Sequence, residues 1–407
     1  MQLKEKIFRL KGKVQHYAWG GYDFIPSLIG FSNTEHKPCA EYWMGAHPSA
    51  SSDILVNNQP VSLYQVINED IAETITDKVF QQFGELPYLL KILDVKDMLS
   101  IQVHPTKAEA IKGFEAEEAA GIPINAPNRN YKDRNHKPEV MVALSEFWLL
   151  HGFKQEAALE RTLEDVQEFN IFLPLFKRAG YKGLYQFVME MSQEDIDRLL
   201  FNLVKRELRK KEYNELTKDQ PGWWVAKLFE GKEEIKNIDR GIFSIYFFNI
   251  VKAEKGDAVF QGAGIPHAYL EGQNVELMAN SDNVLRGGLT PKHIDVPELM
   301  KHTSFVGITP NVMKGNSIDL IEKNYPCPVP DFGINKIELN GDDKYGSIAH
   351  SLEILIVIEG AGVVNSKELN MVIRKGESVA ILPGQEYSIA SSGHCLLFKA
   401  FVPITDK

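Results

Sequence analysis

Cysteines, long apolar runs and excess positive charge are all scarce in this sequence. Its 407 residues contain three cysteines, Cys39, Cys327 and Cys395, which are far apart and lack CxxC spacing. This pattern excludes a disulfide framework and a cysteine metal site, and it favours a reducing cytoplasm. No apolar run approaches the length of a membrane helix, and the stretch MQLKEKIFRLKGK lacks the apolar core of a signal peptide.

The charge balance limits the partners that we expect. A net charge of -10 argues against attraction to nucleic acid or to anionic membrane surfaces, so an anionic substrate must find a local basic pocket. The length allows two or three domains with well-buried cores. We therefore expect a cytoplasmic protein with no nucleic-acid and no membrane partner, present as a monomer or a weak homo-oligomer.

Strand signals alternate with one helical block along the chain. Segments such as LLKILDVKDMLSIQVH are rich in β-branched and aromatic residues, which predicts antiparallel β structure up to about residue 155. One helix interrupts it, beginning at the capping box of Thr106 and Glu109 and ending near Gly121. Between 155 and 235, apolar residues recur at helical spacing after Ser192, a predicted N-cap. Strand signals return from GIFSIYFFNIVKAEKGDAVF onward.

A faint internal repeat lies in the second β region. The segment GDAVFQGAGIPH, residues 256–267, aligns with GESVAILPGQEY, residues 376–387, in the pattern G-[DE]-x-V-x4-G-x2-[HY]. A strand, a glycine-bearing turn and a second strand form the hairpin of a β-sandwich or jelly roll, so two copies imply two such domains. The first copy ends in His267 and the second in Tyr387, which predicts metal in the first only.

Four polar side chains are candidates for a metal site. Gln102 and His104 are two residues apart in the strand-like run LSIQVHP, so both leave the same face. Glu139 opens another predicted strand in NHKPEVMVAL, and His267 stands in the stiff turn GIPHAY. Two imidazoles, a carboxylate and an amide oxygen suit zinc or another divalent first-row ion in a catalytic site. Each residue alone is more typical of a structural hydrogen bond.

Further polar groups stand close to these four in the sequence. Lys137 lies two residues before Glu139, and Arg286 and Lys292 follow in the segment RGGLTPKH. Glu276 and Tyr269 are candidate proton-transfer groups, although each is more typical of an ordinary strand residue.

Several motifs, taken together, resemble one known family. The segments VQHYAWGG, AEYWMGAHPSASS, LSIQVHPTKAEA, YKDRNHKPE, GIPHAYLEG and LRGGLTPKH are similar, in this order, to those of the type I mannose-6-phosphate isomerases. The resemblance covers residues 14–302 and implies two cupin-like jelly-roll domains with a helical insert. It also implies an active-site arginine at Arg286 and one zinc ion, whose ligands would be Gln102, His104, Glu139 and His267.

We therefore divide the chain into three units. Residues 1–154 together with 236–323 are expected to form the cupin domain that carries the metal. Residues 155–235 are expected to form the helical insert, and residues 324–407 a degenerate cupin domain.

The implied reaction interconverts mannose 6-phosphate and fructose 6-phosphate through a cis-enediol, so the implied partner is a small sugar phosphate. Arg286 is expected to stabilise negative charge, Lys137 and Lys292 to position polar groups, and either Glu276 or Tyr269 to act as base. The candidate phosphate ligands are Arg286, Lys292, Lys91 and Ser100. Two alternatives stay open: a non-enzymatic cupin that binds sugars, and a cupin metal-dependent dioxygenase.

Overall fold

The structure, a computed structural model, describes residues 5–404. Strands contain 31% of the residues and helices 28%, which confirms the predicted mainly β fold with a helical insert. Up to residue 153 the strands are β1 (Ile7–Lys11), β2 (Lys13–Gln15), β3 (Glu41–Gly45), β4 (Asp53–Val56), β5 (Gln59–Ser62), β6 (Tyr88–Val95), β7 (Gln102–Val103), β8 (Glu139–Ala143) and β9 (Phe147–Phe153).

The remaining strands follow a long helical segment. They are β10 (Phe248–Ala253), β11 (Ala258–Gln261), β12 (His267–Ala279), β13 (Leu285–Arg286), β14 (Asn316–Ser317), β15 (Glu322–Tyr325), β16 (Gly333–Leu339), β17 (Lys344–Ile348), β18 (Glu353–Asn365), β19 (Asn370–Arg374), β20 (Ser378–Ile381), β21 (Glu386–Ala390) and β22 (Cys395–Phe401).

The helices are short except in the insert. They are α1 (Phe24–Ile29), α2 (Leu63–Glu69), α3 (Ile71–Thr74), α4 (Asp77–Phe83), α5 (Lys107–Ala119), α6 (Glu156–Asp165), α7 (Leu173–Glu190), α8 (Gln193–Glu212), α9 (Pro221–Phe229), α10 (Gly241–Phe247) and α11 (Val296–His302), with a 3-10 helix at Gln167–Phe172. Within residues 5–404, no helix is both long and apolar enough to cross a membrane.

The strands form two antiparallel sheets. The first sheet has ten strands and runs β10-β9-β12-β6-β3-β2, with β7 and β8 also paired to β12 and with β13 and β11 beyond them. The second sheet has twelve strands and runs β14-β15-β16-β22-β18-β20-β1-β4-β5, with β19 and β21 also paired to β18 and with β17 on β21. Side chains from both sheets, such as Val140 and Ile354, pack in one apolar core.

Local signals in the sequence correctly identified several helix ends. Thr106 caps α5 with the predicted capping box, in which its side chain and that of Glu109 bond reciprocally to early backbone amides. Ser192 caps α8 by accepting a hydrogen bond from the amide of Asp195. Helices α6 to α9 fall within the predicted insert.

Other expectations for the fold were wrong. The segment GIFSIYF, predicted as strand, is helix α10, and all seven of its residues are buried. A short run that is apolar on every side has no periodicity that separates a buried helix from a buried strand. Four short helices, α1 to α4, also interrupt the first β region, where one helix was expected.

Strand pairing crosses the predicted domain boundary. Strand β1 pairs with β20, where Ile7 lies opposite Ile381, and β1 also pairs with β4, which continues to β5. Three strands from the first 62 residues are therefore part of the second sheet, although the sequence placed them with the metal-binding domain. Sequence proximity favours neighbouring strands as partners, and here a more distant partner completes the sheet.

The predicted repeat is present in the structure. Gly264 and Gly384 both have φ near +80°, a conformation that glycine adopts without strain. The amide of Gly264 donates to the carbonyl of His104 at 2.9 Å, and the amide of Gly384 donates to the carbonyl of Ala349 at 2.7 Å. His104 and Ala349 therefore occupy equivalent positions in the two sheets.

Strand register extends this equivalence to the polar interior of both sheets. The repeat makes β11 of the first sheet equivalent to β20 of the second. Their partner strands are β8 and β18, so Glu139 of β8 corresponds to Glu353 of β18. Continuing across neighbouring strands gives seven equivalent pairs. They are Glu41 and Glu322, Lys91 and Asn335, Gln102 and Ser347, His104 and Ala349, Glu139 and Glu353, His267 and Tyr387, and Glu276 and Lys399.

In the second sheet these side chains satisfy one another. The hydroxyl of Tyr387 donates to Glu353 at 2.6 Å, and the ammonium of Lys399 donates to the Tyr345 hydroxyl. The same ammonium lies 3.3 Å from a carboxylate oxygen of Glu322. A lysine ammonium thus balances the buried carboxylates of the second sheet, in which Ala349 and Tyr387 stand at the two imidazole positions.

Candidate metal centre and active site

Three of the four predicted metal ligands converge in the first sheet. His104 follows β7, Glu139 opens β8 and His267 opens β12, and all three side chains are buried. One ligand atom from each lies within 4.8 Å of the other two. The Nε2 atom of His104 is 3.4 Å from one carboxylate oxygen of Glu139, and the Nε2 atom of His267 is 3.4 Å from the other.

These separations fit ligands that share one ion. Bonds of about 2.0–2.2 Å at a tetrahedral zinc place neighbouring ligand atoms roughly 3.3–3.6 Å apart. The two Nε2 atoms are buried and have no hydrogen-bond partner among residues 5–404. An unpartnered buried nitrogen is costly, and a metal ion would remove that cost for both imidazoles at once.

The other ring nitrogens hold the two imidazoles in the orientation that a ligand needs. Nδ1 of His104 lies 3.1 Å from the carbonyl oxygen of Asn283, and Nδ1 of His267 lies 2.9 Å from that of Ile265. Nδ1–H donates in both pairs, so Nε2 carries the free lone pair. Burial also lowers the pKa of His104 to about 4, which keeps its imidazole neutral at physiological pH.

Glu139 supplies the negative charge of the cluster. Burial opposes ionisation of this carboxyl, but Lys137 and His104 outweigh burial and hold its pKa well below the usual range. The ammonium of Lys137 lies 3.1 Å from the same carboxylate oxygen that faces His104. Lys137 is therefore on the face that the sequence predicted, although strand β8 begins only at Glu139.

The remaining predicted ligand lies in a row across four strands. Register places Arg286 of β13 opposite Gln102 of β7, Gln102 opposite His267 of β12, and His267 opposite His151 of β9. Residues directly opposite in a sheet project from the same face. Gln102 is thus adjacent to the His267 imidazole, and Arg286 is the next side chain along the row.

Arg286 and Lys292 provide positive charge without a counter-charge. Within residues 5–404, neither side chain has a carboxylate within 4.0 Å or a hydrogen bond to another residue. Burial lowers the pKa of Arg286, and burial together with Arg286 lowers that of Lys292. Both groups are available for an anionic ligand.

Lys91, a predicted phosphate ligand, is paired with two carboxylates inside the sheet. Its ammonium is buried 3.3 Å from Glu41 and 3.2 Å from Glu276. Burial opposes its positive charge, but these two carboxylates outweigh burial and raise its pKa. Its charge is therefore neutralised inside the sheet. Ser100, the other weak candidate, is half-buried, and its hydroxyl makes no hydrogen bond to another residue of 5–404.

The two predicted bases differ in character. Burial raises the pKa of Glu276 against the opposing effect of Lys91, and the charge of Glu139 raises it further. Burial and Glu276 raise the pKa of the Tyr269 phenol well above its ordinary value. Because a base works best with a pKa near the working pH, Glu276 fits that role better than Tyr269.

Sequence reasoning missed several residues around the cluster. His151 was not singled out, yet it lies opposite His267, and its Nδ1 is 2.7 Å from the side-chain oxygen of Gln261. Asp282 lies 3.4 Å from the buried His47 imidazole. Glu41 was also missed, because only strand pairing brings it to Lys91. The one local signal was the polar segment NSDN before Arg286.

Comparisons with known proteins agree with this geometry. Two family models match: type I phosphomannose isomerase, catalytic domain, over residues 7–156, and mannose-6-phosphate isomerase, cupin domain, over residues 321–402. The mannose-6-phosphate isomerase of Salmonella typhimurium is 37% identical over 95% of this chain and 97% of its own length. The human mannose-6-phosphate isomerase is 33% identical over 89% of each chain.

Solved structures are similar over the whole fold. A crystal structure of mannose 6-phosphate isomerase from Salmonella typhimurium, bound to its substrate fructose 6-phosphate and to zinc, has a TM-score of 0.86 at 34% identity. The match covers 98% of this chain and 100% of the Salmonella typhimurium chain. A zinc-bound holo form of mannose 6-phosphate isomerase gives the same TM-score at 33% identity.

Proposed function

The chain belongs to the type I phosphomannose isomerase family, and we propose that it interconverts mannose 6-phosphate and fructose 6-phosphate through a cis-enediol. The observation that carries the proposal is the buried His104, Glu139 and His267 cluster with the unpaired Arg286 in the same row of side chains. The reaction oxidises one substrate carbon while its neighbour is reduced, so it needs no redox cofactor.

We propose that Gln102, His104, Glu139 and His267 hold a zinc ion. The ligand separations and the two unpartnered nitrogens support this set, and zinc is present in similar solved structures. When bound, zinc polarises substrate oxygens and stabilises negative charge on the enediolate.

The chain's own residues would then bind the substrate and move the proton. Arg286 and Lys292 have uncompensated charge and would bind the phosphate or the developing anion. Lys137 would fix the carboxylate of Glu139 and, through it, the position of the metal. Glu276 would carry the proton between C2 and C1, with Lys91 holding its carboxylate in place. Binding the phosphate far from the reacting carbons contributes to turnover as well as to affinity.

Proton exchange in deuterated water tests the activity directly. Mannose 6-phosphate is incubated with the protein and followed by NMR, then again after chelation and after return of zinc. We expect fructose 6-phosphate to form and the transferred hydrogen to exchange with deuterium from the solvent. Chelation should abolish both the conversion and the exchange, and added zinc should restore them. Sugar binding without conversion would instead support the non-enzymatic alternative, and oxygen consumption would support the dioxygenase. The comparisons support neither alternative.

We further propose a cytoplasmic monomer or weak homo-oligomer. The three cysteines are all free, and two of them are buried, which suits a reducing compartment. We also retain the three-unit division at 154, 235 and 323, with β1, β4, β5 and β14 as strands that the first unit contributes to the second sheet. Sedimentation velocity tests the oligomeric state, and limited proteolysis tests the boundaries.

A further inference from the structure

Few lysines and arginines of residues 5–404 are shielded from water without gaining a counter-charge, and Lys154, which is half-buried, is one of them. Within residues 5–404, burial lowers the pKa of three cationic side chains, Arg286, Lys292 and Lys154. The first two line the candidate active site, where an anionic substrate is expected. Lys154 lies elsewhere, directly after β9 and just before the helical insert.

The surroundings of Lys154 contain a hydroxyl but no close carboxylate. Its ammonium donates one hydrogen bond, at 3.1 Å, to the hydroxyl of Thr162. No carboxylate of residues 5–404 lies within 4.0 Å of it, whereas the buried Lys91 has two and the buried Lys399 has one. Burial alone lowers the pKa of Lys154 to about 8, so most of the side chain is charged at pH 7. A half-buried ammonium with one protein acceptor and no nearby carboxylate can still bind an anion.

Lys154 lines a cleft of about 620 Å³ at the base of the helical insert. The walls also carry the phenol of Tyr246 and the amide of Gln220. Of the acidic side chains there, Glu207 is already paired with Arg206 at 3.1 Å and with Lys210 at 3.5 Å. Asp165 is exposed and has no ion pair with Lys154. The cleft thus combines uncompensated positive charge with neutral donors, which suits an oxyanion of metabolite size.

We propose that this cleft binds a small oxyanion, either a phosphate ester or a carboxylate, through Lys154 and Thr162. The anion supplies the counter-charge that Lys154 lacks and accepts the remaining ammonium hydrogens. Lys154 is three residues beyond His151, which faces His267 across the sheet, so the bound anion would lie at the end of a strand that carries part of the active site. The site is independent of the isomerase activity, and it would exist whether or not the chain isomerises sugars.

Chemical footprinting tests this site separately from the active site. The wild-type protein is treated briefly with acetic anhydride, with increasing inorganic phosphate or succinate, and acetylation of each lysine is measured by peptide mass spectrometry. At ten times the dissociation constant, occupancy should slow acetylation of Lys154 about tenfold. Lys177, an exposed lysine of α7, should react at an unchanged rate. Protection by phosphate alone indicates a phosphate ester, and protection by succinate alone indicates a carboxylate.

A thermal-shift comparison provides a second, independent measurement. Phosphate should raise the melting temperature of wild type and of Lys177→Met by the same amount, with contributions from the active site and from the cleft. The rise should be smaller in Lys154→Met, because only the active-site contribution remains. Equal rises in all three proteins, or acetylation of Lys154 that neither anion slows, would overturn the proposal.

Discussion

Replacing Lys399 by methionine tests the charge balance inside the second sheet. The methionine keeps most of the packing of the lysine stem but removes the ammonium beside Glu322 and Tyr345. Glu322 and Glu353, which are only 8% and 4% exposed, would then share the interior without a positive charge. Removing one partner of such a buried pair costs about 3–5 kcal/mol. We expect the transition that includes the second sheet to shift down by roughly 6–20 °C in scanning calorimetry.

Two further variants make the Lys399 experiment decisive. Lys344→Met removes an exposed lysine of β17 in the same sheet, and it should change stability by less than about 0.5 kcal/mol. Adding Glu322→Gln to Lys399→Met should recover part of the loss, because one orphaned carboxylate is gone. Bound zinc should stay unchanged in all three proteins. If Lys399→Met were as stable as wild type at pH 7, the ammonium would not have the balancing role that we assign to it.

Three other predictions concern the first sheet. His267→Ala should lose both zinc and isomerisation, and an active, zinc-free variant would contradict the ligand assignment. Arg286→Ala should keep its zinc, measured by metal analysis, but lose roughly 100- to 1,000-fold in turnover if the guanidinium stabilises the developing charge. In chelated protein, burial lowers the pKa of His104 and of His151 to about 4 in the folded state, which is below the value of about 6.5 in the unfolded chain. The unfolded chain therefore binds protons more readily, and acid favours unfolding. The free energy of unfolding should therefore fall between about pH 6.5 and pH 4, by up to roughly 1.4 kcal/mol per pH unit for each histidine. His151→Phe should make this decline shallower in urea titrations, and an unchanged slope would argue against the burial of His151.

The candidate ligands could be predicted because short motifs determine their local geometry. His104, Glu139 and His267 each adjoin a proline, which restricts the backbone at the end or beginning of a strand. The repeat at 256–267 and 376–387 was also visible, since its glycines are needed for left-handed turns. These features depend on a few neighbouring residues, and neighbouring residues are what a single sequence displays.

Features that depend on distant strands were not predictable in this way. The ion pairs of Lys91 with Glu41 and Glu276 could not be predicted, because nothing near Lys91 in the sequence indicates these partners. The equivalence of Glu276 and Lys399 likewise emerges only from register, because the two residues differ in charge and their surrounding sequences do not align. Helix α10 was missed for a different reason, since its apolar residues face packing partners on every side.

The pairing of β1 with β20 has a consequence for synthesis on the ribosome. Ile7 is translated 374 residues before its partner Ile381. At ordinary elongation rates the first strand must wait on the order of tens of seconds before its edge is covered. Nascent chains stalled before residue 378 would thus expose one edge of the apolar strand β1 to chaperones, even when β4 already covers the other edge.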